Sequence, residues 1–204
     1  MIDARWVVLA ALVVTSAAFL AGVRVAFRRP GRSHPFRASR VSGGILVAEA
    51  LAIAASPIPR GRALLGVALL GAALALFLWA AWTNRTRKLA LAFTGAAPEH
   101  LQTAGPYRLV RHPFYASYLL AFVAGALAAG TPWLVPAVAA GAWTYWRAAC
   151  GEEEAFAESP LGDAYRRYSE RVGMFVPRLP GLGSGSLVGR AAPASSRSPE
   201  GNAG

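Results

Sequence analysis

Five apolar stretches dominate this sequence and limit it to folds that can shelter them from water. They cover residues 6–26, 41–58, 63–82, 114–129 and 133–149. A helix needs about 20 residues, and at least about 17, to cross the hydrocarbon core of a bilayer. The first and third stretches meet that length, and the other three are near or just below it. We therefore predict an all-α, polytopic membrane helical bundle with about five transmembrane helices.

Composition and charge favour a membrane protein over a soluble one. Of the 204 residues, 55% are hydrophobic and only 15% are charged, a proportion that a small soluble domain could not bury. The net charge of +11 would suggest nucleic acid in a soluble protein, but the basic residues here lie in segments beside the apolar stretches, as in membrane loops. We expect no nucleic-acid partner. One cysteine and three scattered histidines show no metal-ligand spacing, so we also expect no metal.

The distribution of arginine and lysine predicts the orientation. The segments that alternate to one side hold six, five and seven basic residues, and the other side holds only Arg5, Arg60 and Arg62. Because basic residues are retained in cytoplasmic loops, the N-terminus should lie outside. A cleaved signal peptide is a competing interpretation of the first stretch. We expect an integral protein of a bacterial inner membrane, since arginine, alanine and glycine richness is typical of GC-rich coding.

The chain after the last apolar stretch divides in two. Four side chains recur at helical spacing behind a Ser-Pro start signal: Leu161, Tyr165, Tyr168 and Val172. They predict a C-terminal amphipathic helix on the cytoplasmic membrane surface. The rest is rich in Gly, Ser, Ala and Pro, which predicts a disordered tail. We therefore divide the chain into N-terminal helices with basic loops (1–100), a core (101–178) and a tail (179–204).

A polar, basic and proline-broken run at residues 105–115 interrupts this apolar chain. It reads Gly-Pro-Tyr-Arg-Leu-Val-Arg-His-Pro-Phe-Tyr, and such groups must lie at an interface or line a cavity. The two stretches that follow it are separated by three residues and form a tight hairpin. Their legs climb about 25 and 27 Å at 1.5 Å per residue. Arg111 and His112 should therefore lie level with the triple glutamate at residues 152–154.

Position alone leaves two interpretations of this cluster open. Arginine beside carboxylates could bind a small zwitterion, with the guanidinium on a carboxylate and glutamate on an ammonium group or hydroxyls. Alternatively, Arg111 pairs with lipid phosphate, His112 and Pro113 start a helix, and the glutamates are a solvated run. The intramembrane Glu49 is similarly open: it lines a substrate path, or it is protonated and bonded to a neighbouring helix.

The residues themselves resemble the isoprenylcysteine carboxyl methyltransferase family and the related phospholipid methyltransferases. The resemblance covers residues 101–177 and matches in letters and spacing at Gly105, Pro106, Tyr107, Arg108, Val110, Arg111, His112, Pro113, Tyr115, Glu153, Glu154, Gly162, Tyr165, Tyr168 and the Phe175 to Pro177 end. The family's enzymes are integral membrane proteins that use S-adenosyl-L-methionine. Resemblance therefore implies this cofactor and a methyl-transfer reaction.

Site residues follow from the resemblance position by position. It implies a cofactor site formed by Tyr107, Arg111, His112, Pro113 and Tyr115 on one side, and by Glu153 and Glu154 on the other. Counting back from Gly162 favours Glu153 and Glu154 over Glu152. His112 and Arg111 are the candidate catalytic residues. Glu49 and Arg147, which lies two positions before the family's usual arginine, are candidate substrate contacts.

The acceptor of the methyl group is the least determined part of the hypothesis. Carboxyl O-methylation of a lipophilic, isoprenoid-like acceptor is our first expectation. Thiol S-methylation and phospholipid N-methylation are the alternatives within the same class. A non-enzymatic membrane scaffold or a small transporter is the alternative from another class, and it predicts no affinity for the cofactor.

Overall fold

The fold is an all-α bundle. The computed structural model describes residues 3–26, 36–85 and 100–178, and in these ranges it contains no strand beyond one isolated bridge. Its α-helices, α1 to α6 in chain order, are Ala4–Ala26, Phe36–Ala55, Arg60–Thr83, Pro113–Ala129, Val135–Ala157 and Gly162–Arg171. Two short 3₁₀ turns, Gly105–Arg108 and Pro132–Leu134, precede α4 and α5. The predicted disordered tail and most of the two basic loops lie outside the described residues.

Helices α1 and α2 run antiparallel, and so do α3 and α4. Arg5 at the start of α1 donates to the Ala54 carbonyl at the end of α2 (3.4 Å). Arg62 at the start of α3 donates to the Ala129 carbonyl at the end of α4 (3.4 Å). These contacts bring together the ends opposite the 105–112 segment. We call the other end of the bundle, where that segment lies, the site end.

Three helices are long and apolar enough to cross a membrane by length and composition. They are Ala4–Gly22, Ala38–Ala55 and Arg60–Thr83, and the shorter Pro113–Ala129 is also apolar. Helix α4 has 17 residues, the lower limit for a span. It ends at Gly130, whose φ of 64° is the left-handed conformation that favours glycine as a helix terminator. The predicted helical hairpin of α4 and α5 is thereby confirmed.

Small residues let α3 and α4 pack closely at the centre of the bundle. Gly66 on α3 is buried, and a Cβ added there would lie 2.6 Å from the Cβ of Ala128 on α4. Between apolar helices in lipid, such close backbone approach is a main source of association. Nearer the site end, Phe77 packs against Phe19 and Phe114, with ring centroids 4.6 and 5.3 Å apart. This packing fixes the position of α4 along the bundle axis, and therefore the depth at which the first residues of α4 lie.

Replacing Gly66 with alanine should destabilise the bundle by about 1–3 kcal/mol, because the added methyl group forces α3 and α4 apart. Gly71→Ala is a matched control on the same helix, since a Cβ there meets nothing within 4 Å and alanine is the better helix former. Thermal unfolding in detergent should show a lower midpoint for Gly66→Ala alone. Equal midpoints for the two variants would contradict the close packing of α3 on α4.

Three element boundaries differ from the sequence-based prediction. Helix α2 begins at Phe36 rather than near residue 41, and α5 runs to Ala157 rather than ending near residue 149. Both extensions are polar or charged turns that continue a helix beyond its apolar part. The amphipathic helix is confirmed, with Tyr165 and Tyr168 buried, but it begins at Gly162. Ser159 accepts from the Leu161 N–H (3.1 Å) in the turn before it instead of capping it.

Candidate functional site

The segment from residue 105 to residue 112 is held in place by backbone contacts on both sides. Gly105 has φ of 60°, and a Cβ there would lie 2.4 Å from the Thr83 hydroxyl, so the start of the 3₁₀ turn requires glycine. At the other end, the N–H groups of Arg111 and His112 donate to the carbonyls of Gly173 (2.8 Å) and Met174 (3.1 Å). The segment is therefore clamped between α3 and the chain that follows α6.

His112 and Pro113 start α4 as the sequence predicted. Pro113 is the first helical residue, where its missing N–H costs nothing. The His112 carbonyl accepts from the Ala116 N–H (2.9 Å), closing the first turn. The His112 side chain is only 9% exposed. The helix start thus directs a buried imidazole toward the end of α5.

Arg111 joins α5 to the end of α6. Its Nε and Nη2 donate to the two carboxylate oxygens of Glu153 at 2.9 and 3.1 Å, a bidentate pair. Its Nη1 donates to the carbonyls of Ser169 (3.2 Å) and Val172 (2.6 Å) at the end of α6. Such planar, charge-assisted pairs are specific to arginine. Arg111 therefore fastens α6 over the site end.

His112 lies between two carboxylates. Its Nδ1 is 3.2 Å from Oε2 of Glu152, and its Nε2 is 3.1 Å from Oε1 of Glu153. Burial lowers the pKa of His112, but the hydrogen bonds and charges of Glu152 and Glu153 outweigh it and raise the pKa overall. A ring with an acceptor at each nitrogen donates from both and carries a positive charge. The raised pKa of His112 thus favours the imidazolium, which is the form that is unable to act as a general base.

Glu153 is the carboxylate that both cations share. It lies beyond the apolar part of α5, on the turn that extends toward α6. Burial raises the pKa of Glu153, but hydrogen bonds from His112 and Arg111, together with their charges, lower it overall. Opposite charges at hydrogen-bond distance favour the ionised form. The site end thus holds a network of two cations and two carboxylates, formed by Arg111, His112, Glu152 and Glu153.

Two aromatic rings enclose the imidazole. Tyr115 stacks on His112 with ring planes 6° apart and centroids 5.6 Å apart. Its hydroxyl donates to Oε1 of Glu152 (2.6 Å). Phe175 lies edge-on to the imidazole, with ring centroids 6.0 Å apart. The charged network is therefore bounded by aromatic surface on α4 and on the chain after α6.

The pKa shifts predict that stability is highest between two pH limits. Because the folded-state pKa of His112 lies above its ordinary 6.5, its contribution is fully present below about pH 6.5 and is lost as pH rises through the raised value. The pKa of Glu153 lies below its ordinary 4.5, so its contribution is lost as pH falls through the lowered value. His112→Gln should flatten the alkaline decline and keep the acidic one, measured by thermal unfolding across pH. An unchanged alkaline decline would contradict the charged state of His112.

The structure brings together most of the predicted site residues and separates others. Arg111, His112 and Glu153 meet, as the depth count predicted. Within the triple glutamate, Glu152 contacts His112, whereas Glu154 is exposed, and the cofactor contact of Glu154 stays a prediction. Neighbouring positions on a helix point about 100° apart, so the letters alone could not decide which pair faces inward. Arg147 is also exposed on α5.

Tyr107 lies buried between the end of α3 and α6, and its predicted cofactor contact stays a prediction. It is 6% exposed, and its hydroxyl accepts from the Asn84 amide (3.0 Å). Its carbonyl accepts from the Tyr168 hydroxyl (2.6 Å). Burial raises the pKa of Tyr107, so its hydroxyl stays protonated. Sequence analysis missed Asn84, and the signal that could have identified it was a lone amide at the end of an apolar stretch.

Glu49 lies away from the network. It is fully buried on α2, and a Cβ added to Gly125 on α4 would lie 2.3 Å from its Oε2. Neither carboxylate oxygen has a hydrogen-bond partner among the described residues. Gly125 is ten residues along α4 from Tyr115, which places it about 15 Å deeper at 1.5 Å per residue. Glu49 therefore does not touch the charged network, and its role toward a substrate stays a prediction.

Comparison with known proteins identifies the segment that carries this network. The family model described as phospholipid methyltransferase matches residues 62–161, which begin in α3 and include the network of Arg111, His112, Glu152 and Glu153. No curated protein and no solved structure matches the chain. The match begins at residue 62, whereas the resemblance identified from the sequence begins at residue 101. Residues 62–161 are thus similar to the phospholipid methyltransferase family, which includes the isoprenylcysteine carboxyl methyltransferase-like membrane enzymes.

Proposed function

We propose that this protein transfers a methyl group from S-adenosyl-L-methionine to a lipophilic acceptor, and that a carboxyl group is the first candidate acceptor. The observation that carries the proposal is the convergence of Arg111 and His112 with Glu152 and Glu153 beneath α6. The similarity of residues 62–161 to the phospholipid methyltransferase family supports the methyltransferase class. The basic loops support an orientation in which the site end faces the cytoplasm, where the cofactor is available.

The residues at the site end suit the cofactor's polar groups. The side chains of Glu152 and Glu153 remain 31% and 21% exposed, so their free lone pairs can accept from an ammonium group and from ribose hydroxyls. Arg111 already makes four hydrogen bonds, which leaves one of its five N–H groups for a carboxylate. The carboxylates are therefore the principal candidates to hold the cofactor, and Arg111 mainly positions them.

The charge state of His112 favours an acceptor that needs no general base. The sulfonium of the bound cofactor supplies the methyl group, which an acceptor must attack in line. An ionised carboxylate or thiolate is ready to do so, and the protein then contributes orientation and exclusion of water. His112 donates from both nitrogens and has no lone pair for a proton. A carboxyl acceptor is accordingly our first candidate.

Phospholipid N-methylation is the second candidate, and the description of the matching family favours it. An amine headgroup arrives as an ammonium and must lose a proton before it attacks. Glu152 and Glu153 could attract such a cation. Thiol S-methylation shares the base-free chemistry of a carboxylate. The three acceptors therefore differ in the bond formed, which an assay can separate.

Calorimetric titration of the detergent-purified protein with S-adenosylhomocysteine tests the cofactor. Wild type should bind, and Glu152→Gln and Glu153→Gln should each weaken binding by about ten- to a hundredfold, since a hydrogen bond to a charged group contributes about 1.5–3 kcal/mol. A folded wild type with no measurable affinity would favour a scaffold or transporter and overturn the proposal.

Transfer of radiolabelled methyl groups then tests the acceptor. The enzyme is incubated separately with a prenylcysteine analogue, a phosphatidylethanolamine vesicle and a short-chain thiol. A methyl ester releases its label as methanol in mild alkali, whereas methylated amines and thioethers retain it. Alkali-labile label supports the carboxyl candidate, and alkali-stable label in the phospholipid replaces it with the second candidate.

A further inference from the structure

Asn84 is a buried polar residue that the chemistry above does not use. It follows α3 directly, and no part of it is exposed. Its Nδ2 donates to the Ala80 carbonyl (2.7 Å) within α3 and to the Tyr107 hydroxyl (3.0 Å). One amide group thus joins the end of a membrane helix to the 3₁₀ turn that precedes the charged network.

Tyr107 carries the connection onward to α6. Its carbonyl accepts from the Tyr168 hydroxyl (2.6 Å), and Tyr168 is 6% exposed on the buried face of α6. Further along the chain from Tyr168, the carbonyls of Ser169 and Val172 accept from Arg111. The line from Asn84 through Tyr107 to Tyr168 therefore ends at the helix that Arg111 fastens over the site.

The two sides of the Asn84 amide group differ in their hydrogen bonding. Among the described residues, its Oδ1 is buried and has no hydrogen-bond partner. A buried acceptor without a partner is uncommon and requires an explanation. Aspartate and leucine lack the two N–H donors that reach Ala80 and Tyr107 together. An asparagine here therefore holds α3 and the 3₁₀ turn at a fixed distance through two hydrogen bonds from one amide group.

We propose that Asn84 is a positioning residue for the cofactor site. Acting through Tyr107 and Tyr168, it sets the depth of the 105–112 segment and of α6, and with them the alignment of Arg111 and His112 with the carboxylates. This inference rests on the proposed function for its binding readout. Its structural readout, the protection of particular backbone amides, does not depend on any ligand.

The test uses Asn84→Leu, Tyr107→Phe and the double variant of the full chain in detergent. Affinity for S-adenosylhomocysteine is measured by calorimetry, and amide exchange by mass spectrometry. Each single variant should weaken binding by about three- to tenfold, since a hydrogen bond contributes about 0.5–1.5 kcal/mol. The double variant should bind no more weakly than the singles, because both remove one interaction. Exchange should rise at residues 105–112 and 162–174.

A stability measurement separates positioning from general support of the fold. Removing both partners of a hydrogen bond is nearly neutral for stability, so the double variant should melt close to wild type while its affinity stays low. Ser42→Ala is a matched control: it removes a hydrogen bond of 2.7 Å to Tyr145, between α2 and α5, and should leave exchange at residues 105–112 unchanged.

Two results would overturn the proposal. One is a folded Tyr107→Phe variant whose affinity for S-adenosylhomocysteine and amide exchange are unchanged. This variant also tests the proposal if Asn84→Leu fails to fold. The other is additive effects of the two single variants. If wild type itself does not bind S-adenosylhomocysteine, the proposed function fails, and the exchange measurement alone decides whether Asn84 positions the segment.

Discussion

Replacing Arg111 with alanine is expected to destabilise the protein by about 3–5 kcal/mol, the range for removing one partner of a buried ion pair. The side chain is only 9% exposed and makes a bidentate pair with Glu153. Its loss also leaves the carbonyls of Ser169 and Val172 without their donor. Helix α6 should detach from the site end, and cofactor binding and methyl transfer should be lost together.

Replacing Arg111 with lysine distinguishes the contribution of the positive charge to stability from the contribution of the planar guanidinium geometry. An ammonium group keeps the charge, but a point charge cannot bond the Glu153 carboxylate in a fork and reach the α6 carbonyls at the same time. Arg111→Lys should therefore melt between wild type and Arg111→Ala. Arg166→Ala is the control, since Arg166 forms an exposed pair with Asp163 that contributes at most about 1 kcal/mol. Thermal unfolding in detergent checks all four proteins, and equal midpoints for Arg111→Ala and Arg166→Ala would contradict the anchoring role.

Replacing Glu153 with glutamine is expected to produce the second largest loss of stability. The change removes the negative charge that Arg111 and His112 share and leaves two neighbouring cations. Because the Glu153 side chain stays 21% exposed, water screens part of this charge, and we expect a cost of about 2–3 kcal/mol, below the range for a fully buried pair. The pKa of His112 should fall as well, since one of the two carboxylates that raise it is gone.

The neighbouring glutamates make this experiment discriminating. Glu154→Gln changes the same charge one position along α5, on an exposed side chain, and surface substitutions of this kind stay within about 0.5 kcal/mol. Glu158→Gln at the end of α5 is a further exposed control. Thermal unfolding and the titration of His112 by nuclear magnetic resonance report the two effects. A Glu154→Gln variant that loses as much stability as Glu153→Gln would restore the register that the sequence count favoured.

Features that depend on local pattern could be predicted from the sequence. Apolar stretches of helical length locate α1, α3 and α4 to within a few residues. A long apolar segment is unstable in water, and the helix is the structure that lets a single segment cross a bilayer. Tyr165 and Tyr168 lie on the buried face of α6, as their spacing predicted. The count of helical rise along the hairpin correctly placed Arg111 level with the glutamates, since rise per residue hardly varies.

Features that depend on helix rotation and on residues remote in sequence could not be predicted from the sequence. Which two of three consecutive glutamates face His112 depends on the rotation of α5 about its axis, and packing against α2 and α4 decides that rotation. The role of Asn84 was identifiable only from its hydrogen bond to Tyr107, which lies 23 residues away. Glu49 was identifiable as an intramembrane carboxylate, but its position against Gly125 needed the packing of α2 on α4.

The sequence by itself determined that the chain is a helical membrane bundle with a basic, proline-broken run facing a group of glutamates. These conclusions rest on hydrophobicity and helical rise, which act along one chain segment at a time. Only the tertiary structure decided that His112 lies between Glu152 and Glu153, that Arg111 fastens α6, and that Asn84 anchors the segment before them. Hydrogen bonds act over about 3 Å, so the identity of each partner depends on how separate helices rotate and pack.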